Sequence, residues 1–321
     1  MSEGPSTVGL NPAASHWDLR GIVAGLRDAR EQWRDTQQRK REFGVREFPS
    51  PDALHQIVDA LCGVLFPMRL GPPDLNHEGE DFYVGHTLET ALTSLLHQVR
   101  LELAYQARFD ATRHDVEGRA NEIVRLFAEG LPALRSILDA DVQAAYDGDP
   151  AARSVDEALL CYPGVLAIIH HRLANALYRL GVPLVARILA EIAHSRTGID
   201  IHPGASIGPG FFIDHGTGVV IGETAVIGRR VRIYQAVTLG ARRFDTDSDG
   251  SLAKGGARHP IVEDDVVIYA GATILGRITI GQGSSIGGNV WLTRSVPAHS
   301  QVSQASLQHG STRELTDAQL R

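Results

Sequence analysis

The sequence predicts an α+β protein: an all-helical N-terminal domain followed by a left-handed parallel β-helix of hexapeptide repeats. Three observations carry this. First, an aliphatic residue recurs every six positions at Ile201, Ile207, Ile213, Ile221, Ile227, Ile233, Leu239, Val262, Ile268, Ile274, Ile280, Ile286 and Leu292, with one slip and one gap. Second, Gly often follows it, as at Gly208, Gly222, Gly228, Gly281 and Gly287, and a small or branched residue stands four positions on, as at Ala205, Ala225, Val231 and Ala272. A period of six fits neither a helix nor a free strand. It fits short strands, three to a triangular coil of about 18 residues, each stacked on its equivalent one coil away. Third, the composition changes sharply after Arg196, from amphipathic helical patterns to Gly and β-branched residues.

In chain order, residues 1–14 are rich in Gly, Pro and Ser and are expected to fray. Residues 15–197 read as the helical, oligomerising domain. Its first helix runs from about Ser15, a capping residue, to Phe43, with Leu19, Ile22, Val23 and Leu26 as its apolar stripe. Pro49 and Pro51 end it, and a second helix spans about 52–65. The Pro/Gly-rich stretch 66–83 reads as a loop. Further helices are expected at about 85–109, 115–129, 131–146, 155–180 and 183–194, the one over 155–180 being kinked or divided at Pro163-Gly164. The β-helix spans 198–296, with a polar, Gly-rich loop at 240–261, and residues 297–321 form a tail without the six-residue period.

Composition narrows the function. A net charge of −7 over 321 residues argues against nucleic-acid binding. Two cysteines, Cys62 and Cys161, in no CxxC spacing suit a reducing compartment. No apolar run suggests a signal peptide or a membrane span, so a cytoplasmic protein is expected.

The chemistry points to the two places where the repeat fails. From Ile213 to Ile221 the spacing is eight, and the extra residues fall in Asp214-His215-Gly216-Thr217-Gly218. The long loop ends in Arg258-His259-Pro260. Histidine is a natural general base for a hydroxyl, a neighbouring carboxylate would fix its tautomer, and an arginine can clamp a carboxylate. These are the residue types that acyl transfer to a small amino acid requires. A histidine in a coil corner can equally do no more than satisfy a backbone group, and spacing alone leaves both readings open.

The blocks Asp200-Ile201-His202-Pro203, Asp214-His215-Gly216-Thr217-Gly218, Ile221-Gly222-Glu223-Thr224-Ala225, Gln235-Ala236-Val237-Thr238-Leu239-Gly240 and Arg258-His259-Pro260 resemble those of serine O-acetyltransferases, in the same order. Upstream, Asp149-Pro150-Ala151, Tyr162-Pro163-Gly164 and His171-Arg172-Leu173-Ala174 resemble the family's helical segment, so that the likeness covers about 149–296. The resemblance implies transfer of an acetyl group from acetyl-CoA to L-serine, the first step of cysteine biosynthesis, with no metal. It implies His215 as general base, Asp200 as its partner carboxylate and His259 as a second active-site histidine. It implies Asp149 and Asp214 on the substrate amino group, Arg258 on its carboxylate and Glu223 behind them. The acyl-CoA side would involve Gly240, Ala241, Arg242, Arg243, Lys254, Ala270 and Gly276. A homotrimer, or a dimer of trimers, is implied, with the site in the groove between neighbouring prisms.

Two departures stand out. The family's Gly-rich loop after the Thr-Leu-Gly block is replaced by Gly240-Ala241-Arg242-Arg243-Phe244 and an acidic insertion. The chain ends Leu320-Arg321 rather than in the isoleucine through which the family docks to the next enzyme, so a cysteine-synthase complex is not expected. The alternatives are a related acyltransferase acting on homoserine, a sugar or an amine, a zinc β-helix enzyme of the γ-carbonic anhydrase kind, or a scaffold. The zinc reading needs an HxxxxH pair that His202, His215 and His259 do not make.

Overall fold

The structure, a computed structural model, describes residues 17–36, 48–108, 115–242 and 255–305. The chain divides into two compact units, residues 1–47 and residues 48–321. In the first, helix α1 (Leu19–Thr36) has no buried residue among those described, and its stripe of Leu19, Ile22, Val23 and Leu26 is about half exposed. Asp18 caps it, its Oδ1 accepting from the Gly21 N–H at 3.0 Å. The expected cap, Ser15, and the expected end, Phe43, lie outside the described residues.

The second unit opens with α2 (Pro51–Leu65), a one-turn α3 (Pro67–Leu70) and a short 3₁₀ turn (His77–Gly79), so the stretch expected as loop carries two short helical turns. Then come α4 (Glu80–Ala107), α5 (Val116–Gly148), α6 (Val155–Cys161), α7 (Pro163–Arg179) and α8 (Pro183–Thr197). Helix α5 runs straight through Pro132, where two helices were expected. The apolar row Ile123, Phe127, Leu131, Leu134, Leu138 and Val142 continues unbroken across the proline and is buried along its length. That burial, at roughly 1.5–3 kcal/mol per large side chain, outweighs the ~3 kcal/mol a proline costs a helix interior. At Pro163 the expected division does occur. Tyr162 is extended, as a residue before proline prefers, and it ends α6 and starts α7.

Two buried carboxylates lock the helices in place. Glu102 of α4 accepts from the Leu184 and Val185 N–H groups at 2.9 and 2.7 Å, satisfying free donors at the start of α8. Asp141 of α5 pairs with Arg172 of α7 and also accepts from the Phe211 N–H at 2.9 Å. Arg172 donates onward to the Ile207 and Gly208 carbonyls. This pair ties the helical layer to the first coil of the prism.

Helix α8 ends at Gly198, in the left-handed region at φ 70°, and the chain enters β1 (Asp200–Ile201) two residues later. Thirteen more short strands follow: β2 (Ser206–Ile207), β3 (Phe212–Ile213), β4 (Val220–Ile221), β5 (Val226–Ile227), β6 (Arg232–Ile233), β7 (Thr238–Gly240), β8 (Ile261–Val262), β9 (Val267–Ile268), β10 (Thr273–Leu275), β11 (Thr279–Ile280), β12 (Ser285–Ile286), β13 (Trp291–Leu292) and β14 (Gln301–Val302). They form three parallel sheets, β1-β4-β7-β10-β13, β2-β5-β8-β11 and β3-β6-β9-β12-β14, in which, up to β13, every third strand is a neighbour. We call these the first, second and third faces of the prism. The register stacks each aliphatic residue on its equivalent: Ile201 on Ile221, Ile221 on Leu239, Leu239 on Ile274 and Ile274 on Leu292. All thirteen are buried, as are most residues four positions on, including Ala205, Ala225, Val231, Val266 and Ser284.

The prism runs past the expected end at 296. Val296 bridges Ile280 and β14 pairs with β12. The step from Leu292 to Val296 is four residues rather than six, which hides the phase before Val302 restores it. The change from helix to strand falls at 198–200, yet the buried apolar side chains of α2–α8 and of the prism form one continuous core. Among the described residues no helix is long and apolar enough to cross a membrane.

Candidate active site

The prism has three edges, and the polar residues singled out by the sequence gather on two of them. The edge from the third face to the first carries Asp214–Val219, between β3 and β4. The edge from the first face to the second carries His202–Ala205, Gly222–Ala225 and the long loop that ends in Arg258-His259.

On the first of these edges the two-residue slip pushes the chain outward. His215 is itself in the left-handed region at φ 59°, and its side chain is 72% exposed. Gly216 follows at φ 94°, where a Cβ would fall 2.4 Å from Ile199 Cδ1, so the corner is folded tightly onto the prism end. Asp214 lies alongside, its Oδ1 3.8 Å from His215 Nε2, too far for a hydrogen bond, while its Oδ2 accepts from Arg232 Nη2 at 3.2 Å. The junction of α5 and α6 brings in Asp149. Its Oδ2 accepts from the Tyr162 hydroxyl at 2.6 Å and its Oδ1 from the Ala151 N–H at 2.8 Å. The Tyr162 hydrogen bond, then the Ala151 N–H, hold the Asp149 carboxyl below its ordinary range, with the charges of Arg232 and His215 adding to the effect. The same bond pushes the Tyr162 phenol up to about 12. Tyr162 is set by α7, which meets β3 backbone to backbone: a Cβ on Gly164 would lie 2.2 Å from the Ile213 carbonyl oxygen.

On the second edge Arg258 Nη2 donates to Glu223 Oε2 at 2.7 Å, and Tyr178 donates to the other Glu223 oxygen at 3.0 Å. Burial works to raise the Glu223 pKa, but the hydrogen bonds from Arg258 and Tyr178 prevail and hold it down. His259 is buried, 6% exposed, and its Nδ1 faces the Thr224 N–H at 3.0 Å and the Thr224 hydroxyl at 2.8 Å. Burial, and after it the charge of Arg258, push the His259 pKa down to about 4. Arg277, one coil on, donates to the Thr224 and His259 carbonyls at 2.6 and 3.0 Å.

The structure thus brings together Asp149, Asp214 and His215 on one edge and Glu223, Arg258 and His259 on another. It does not join Asp200 to His215 within the chain. The atoms of Asp200 that could bind a ligand lie within 4.8 Å of those of Glu191 and His194, a group that could hold a metal ion, though Arg187 already pairs with Glu191. The residues expected on the acyl-CoA side are also divided. Gly240, Ala241, Arg242 and Gly276 follow the first face, with Gly276 packed beside Arg242, whereas Ala270 lies on the edge that carries His215. Arg243 and Lys254 fall outside the described residues, as does the Leu320-Arg321 terminus. Sequence reasoning missed Tyr162, Tyr178, Thr224, Arg232 and Arg277. Thr224 and Tyr162 lay inside quoted blocks, but Tyr178, Arg232 and Arg277 carry no local signal because each acts across a long sequence separation.

A family model described as bacterial transferase hexapeptide (six repeats) matches residues 259–294. The plasmid serine acetyltransferase of Synechococcus elongatus is 55% identical over 295 residues, covering 91% of this chain and 92% of that protein. Among solved structures, Entamoeba histolytica serine acetyltransferase 1 in complex with L-cysteine aligns with a TM-score of 0.65 at 35% identity, covering 79% of this chain and 97% of that one. Neisseria gonorrhoeae serine acetyltransferase in complex with serine aligns with a TM-score of 0.51 at 30% identity, covering 78% and 94%.

Proposed function

The chain belongs to the serine acetyltransferase family, and from that membership we infer that its two edge clusters are halves of one active site, completed between neighbouring copies. The enzyme transfers the acetyl group of acetyl-CoA to L-serine, giving O-acetyl-L-serine and CoA. The observation that carries the shared-site reading is the placement of the clusters. The base and two carboxylates line one edge of a prism, the arginine and second histidine line a different edge, and neither set suffices alone. Left-handed coils packed around a threefold axis would bring the first edge of one copy against the second edge of the next.

In this arrangement Asp149 and Asp214 hold the serine ammonium and Arg258, steadied by Glu223 and Tyr178, holds its carboxylate. His215 removes the hydroxyl proton as the serine oxygen attacks the thioester carbonyl. The Oγ–C bond forms, the carbonyl electrons move onto oxygen, and on collapse the C–S bond breaks. The CoA thiolate leaves and takes the proton from the His215 imidazolium, so proton and charge balance. Asp200 is proposed to orient His215 once the site closes. Gly240, Ala241, Arg242, Arg243, Lys254, Ala270 and Gly276 are proposed to line the acyl-CoA path, with the basic ones toward its phosphates. A trimer, or two trimers joined through the helical layer, and a cytoplasmic location complete the proposal.

CoA thiol release with L-serine, L-homoserine or no acceptor tests the chemistry: L-serine must drive it. His215→Ala should lower turnover by on the order of 10²-fold, as loss of a general base does, and Arg258→Ala should chiefly raise the serine KM. Co-expressing these two variants and assaying at serine concentrations too low for Arg258→Ala to turn over tests the shared site. Random mixed trimers restore about a quarter of the sites, because half of each edge pair is intact in either chain. No recovery on mixing would refute a site built from two chains.

A further inference from the structure

Histidine and threonine meet on the second edge in a way that fixes a proton. The Thr224 hydroxyl oxygen accepts from the backbone N–H groups of Arg258 at 2.9 Å and His259 at 3.2 Å. Both of its lone pairs are therefore engaged, and its own proton is left to point at His259 Nδ1, 2.8 Å away. The Thr224 backbone N–H, which can only donate, points at the same nitrogen from 3.0 Å. Two donors aimed at one ring nitrogen require that nitrogen to carry a lone pair. The ring is then neutral with its proton on Nε2, and Nε2 has no protein partner among the described residues. The ring rests on Gly222, where a Cβ would fall 2.1 Å from Nε2, so glycine leaves the room this pose needs. The charged groups facing the ring are Arg258, Arg277, Glu223 and His202. Protonating Nδ1 would break two hydrogen bonds and add a cation beside Arg258 and Arg277.

We propose that His259 serves as a fixed, neutral Nε2–H donor to the thioester oxygen as it becomes negative, and that Thr224 is the positioning residue that imposes this tautomer. The reading rests on the acetyl transfer given above. It separates the two histidines: His215 takes a proton, whereas His259 keeps one. A neutral donor also fits the oxygen better than the serine carboxylate. The carboxylate is charged throughout and is matched by Arg258, while the thioester oxygen gains charge only in the transition state, where a preorganised donor lowers the barrier.

The test uses the full-length enzyme. Nitrogen NMR of ¹⁵N-histidine-labelled protein, with His259→Gln identifying the signal, should show Nδ1 unprotonated and Nε2 protonated from pH 8 to 5.5. Thr224→Val, which removes the hydroxyl and keeps the shape, should make the cation of His259 detectable in that range and lower kcat about tenfold, the order expected for one lost hydrogen bond to the ring; Thr224→Ser should restore both. His259→Ala should lower kcat by on the order of 10²-fold with little change in serine KM, as loss of an oxyanion donor does, and His259→Gln, which keeps an N–H, should retain more activity than Ala. An Nδ1–H signal or an imidazolium at neutral pH overturns the proposal, as does a rise confined to serine KM. If a variant fails to fold, the wild-type spectrum alone decides the tautomer. Absence of serine-dependent CoA release from the wild type would overturn the underlying activity instead, while leaving the tautomer measurable.

Discussion

At the scale of single residues, the two histidines of the proposed site show how one side-chain type is placed in two different settings. His215 projects from a slipped corner and is largely exposed in the single chain, whereas His259 is buried against Gly222 with both its acceptor position and its ring plane fixed. The corner that presents His215 depends on Gly216. Substituting Gly216→Ala would place a Cβ 2.4 Å from the Ile199 side chain at a backbone angle L-residues rarely adopt. We expect a loss of roughly 1–3 kcal/mol, the range for strain of this kind, and a fall in kcat larger than any change in acetyl-CoA KM. Urea titration and steady-state kinetics measure the two; wild-type values in both would show that the corner tolerates the side chain.

At the scale of elements, the helical layer acts as the frame for the first edge. Helix α7 meets β3 so closely at Gly164 that no side chain fits, and this contact sets Tyr162 on Asp149. Gly164→Ala must push the helix away from the Ile213 carbonyl, because that neighbour is backbone and cannot swing aside. The expected result is a raised serine KM with unaltered acetyl-CoA KM, since Asp149 faces the amino acid in the proposed site. An effect on acetyl-CoA alone would place Asp149 elsewhere. The prism supplies the opposite kind of element. Ala236, Gly271 and Asn289 stack in the left-handed region on one edge, and Gly210, Arg230, Asp265, Gly283 and His299 on another. Arg230 and Asp265 use that stacking to form a two-pronged pair at 2.6 and 2.8 Å. The period of six was legible because every coil repeats the same burial and the same turns. The slip after Leu292 was not, because a four-residue step moves the aliphatic column out of phase before it resumes.

At the scale of the whole molecule, three buried histidines make stability depend on pH. Burial is the largest cause in each, lowering His170 and His259 to about 4 and His171 to about 3. Unfolded histidine titrates near 6.5, so below that pH the unfolded chain binds more protons than the folded one. The stability these residues contribute is complete above 6.5 and is lost as pH falls toward 4. Asp141 and Glu102, whose pKa values burial raises, act in the opposite sense. The melting temperature is therefore expected to fall between pH 7.5 and 5.5, where the histidine effect leads, and a melting temperature that stays level or rises on acidification would contradict this.

The sequence by itself determined the prism, its thirteen inward aliphatic positions and the two breaks that carry Asp214-His215 and Arg258-His259, because a strict six-residue burial pattern leaves each departure visible. It also marked the helix division at Pro163, where the residue before a proline disfavours helix. Tertiary structure alone decided that α5 passes through Pro132, since only the buried row on both sides outweighs the proline. It alone joined Tyr162 to Asp149, Tyr178 to Glu223 and Arg172 to Asp141, pairs 13, 45 and 31 residues apart. Above all it decided what each break meets. Counting strands three to a coil puts the two breaks on different edges, but that Tyr162 reaches Asp149 beside the first and Tyr178 reaches Glu223 on the second depends on how the helices fold back against the stacked coils, and a linear repeat carries no record of that.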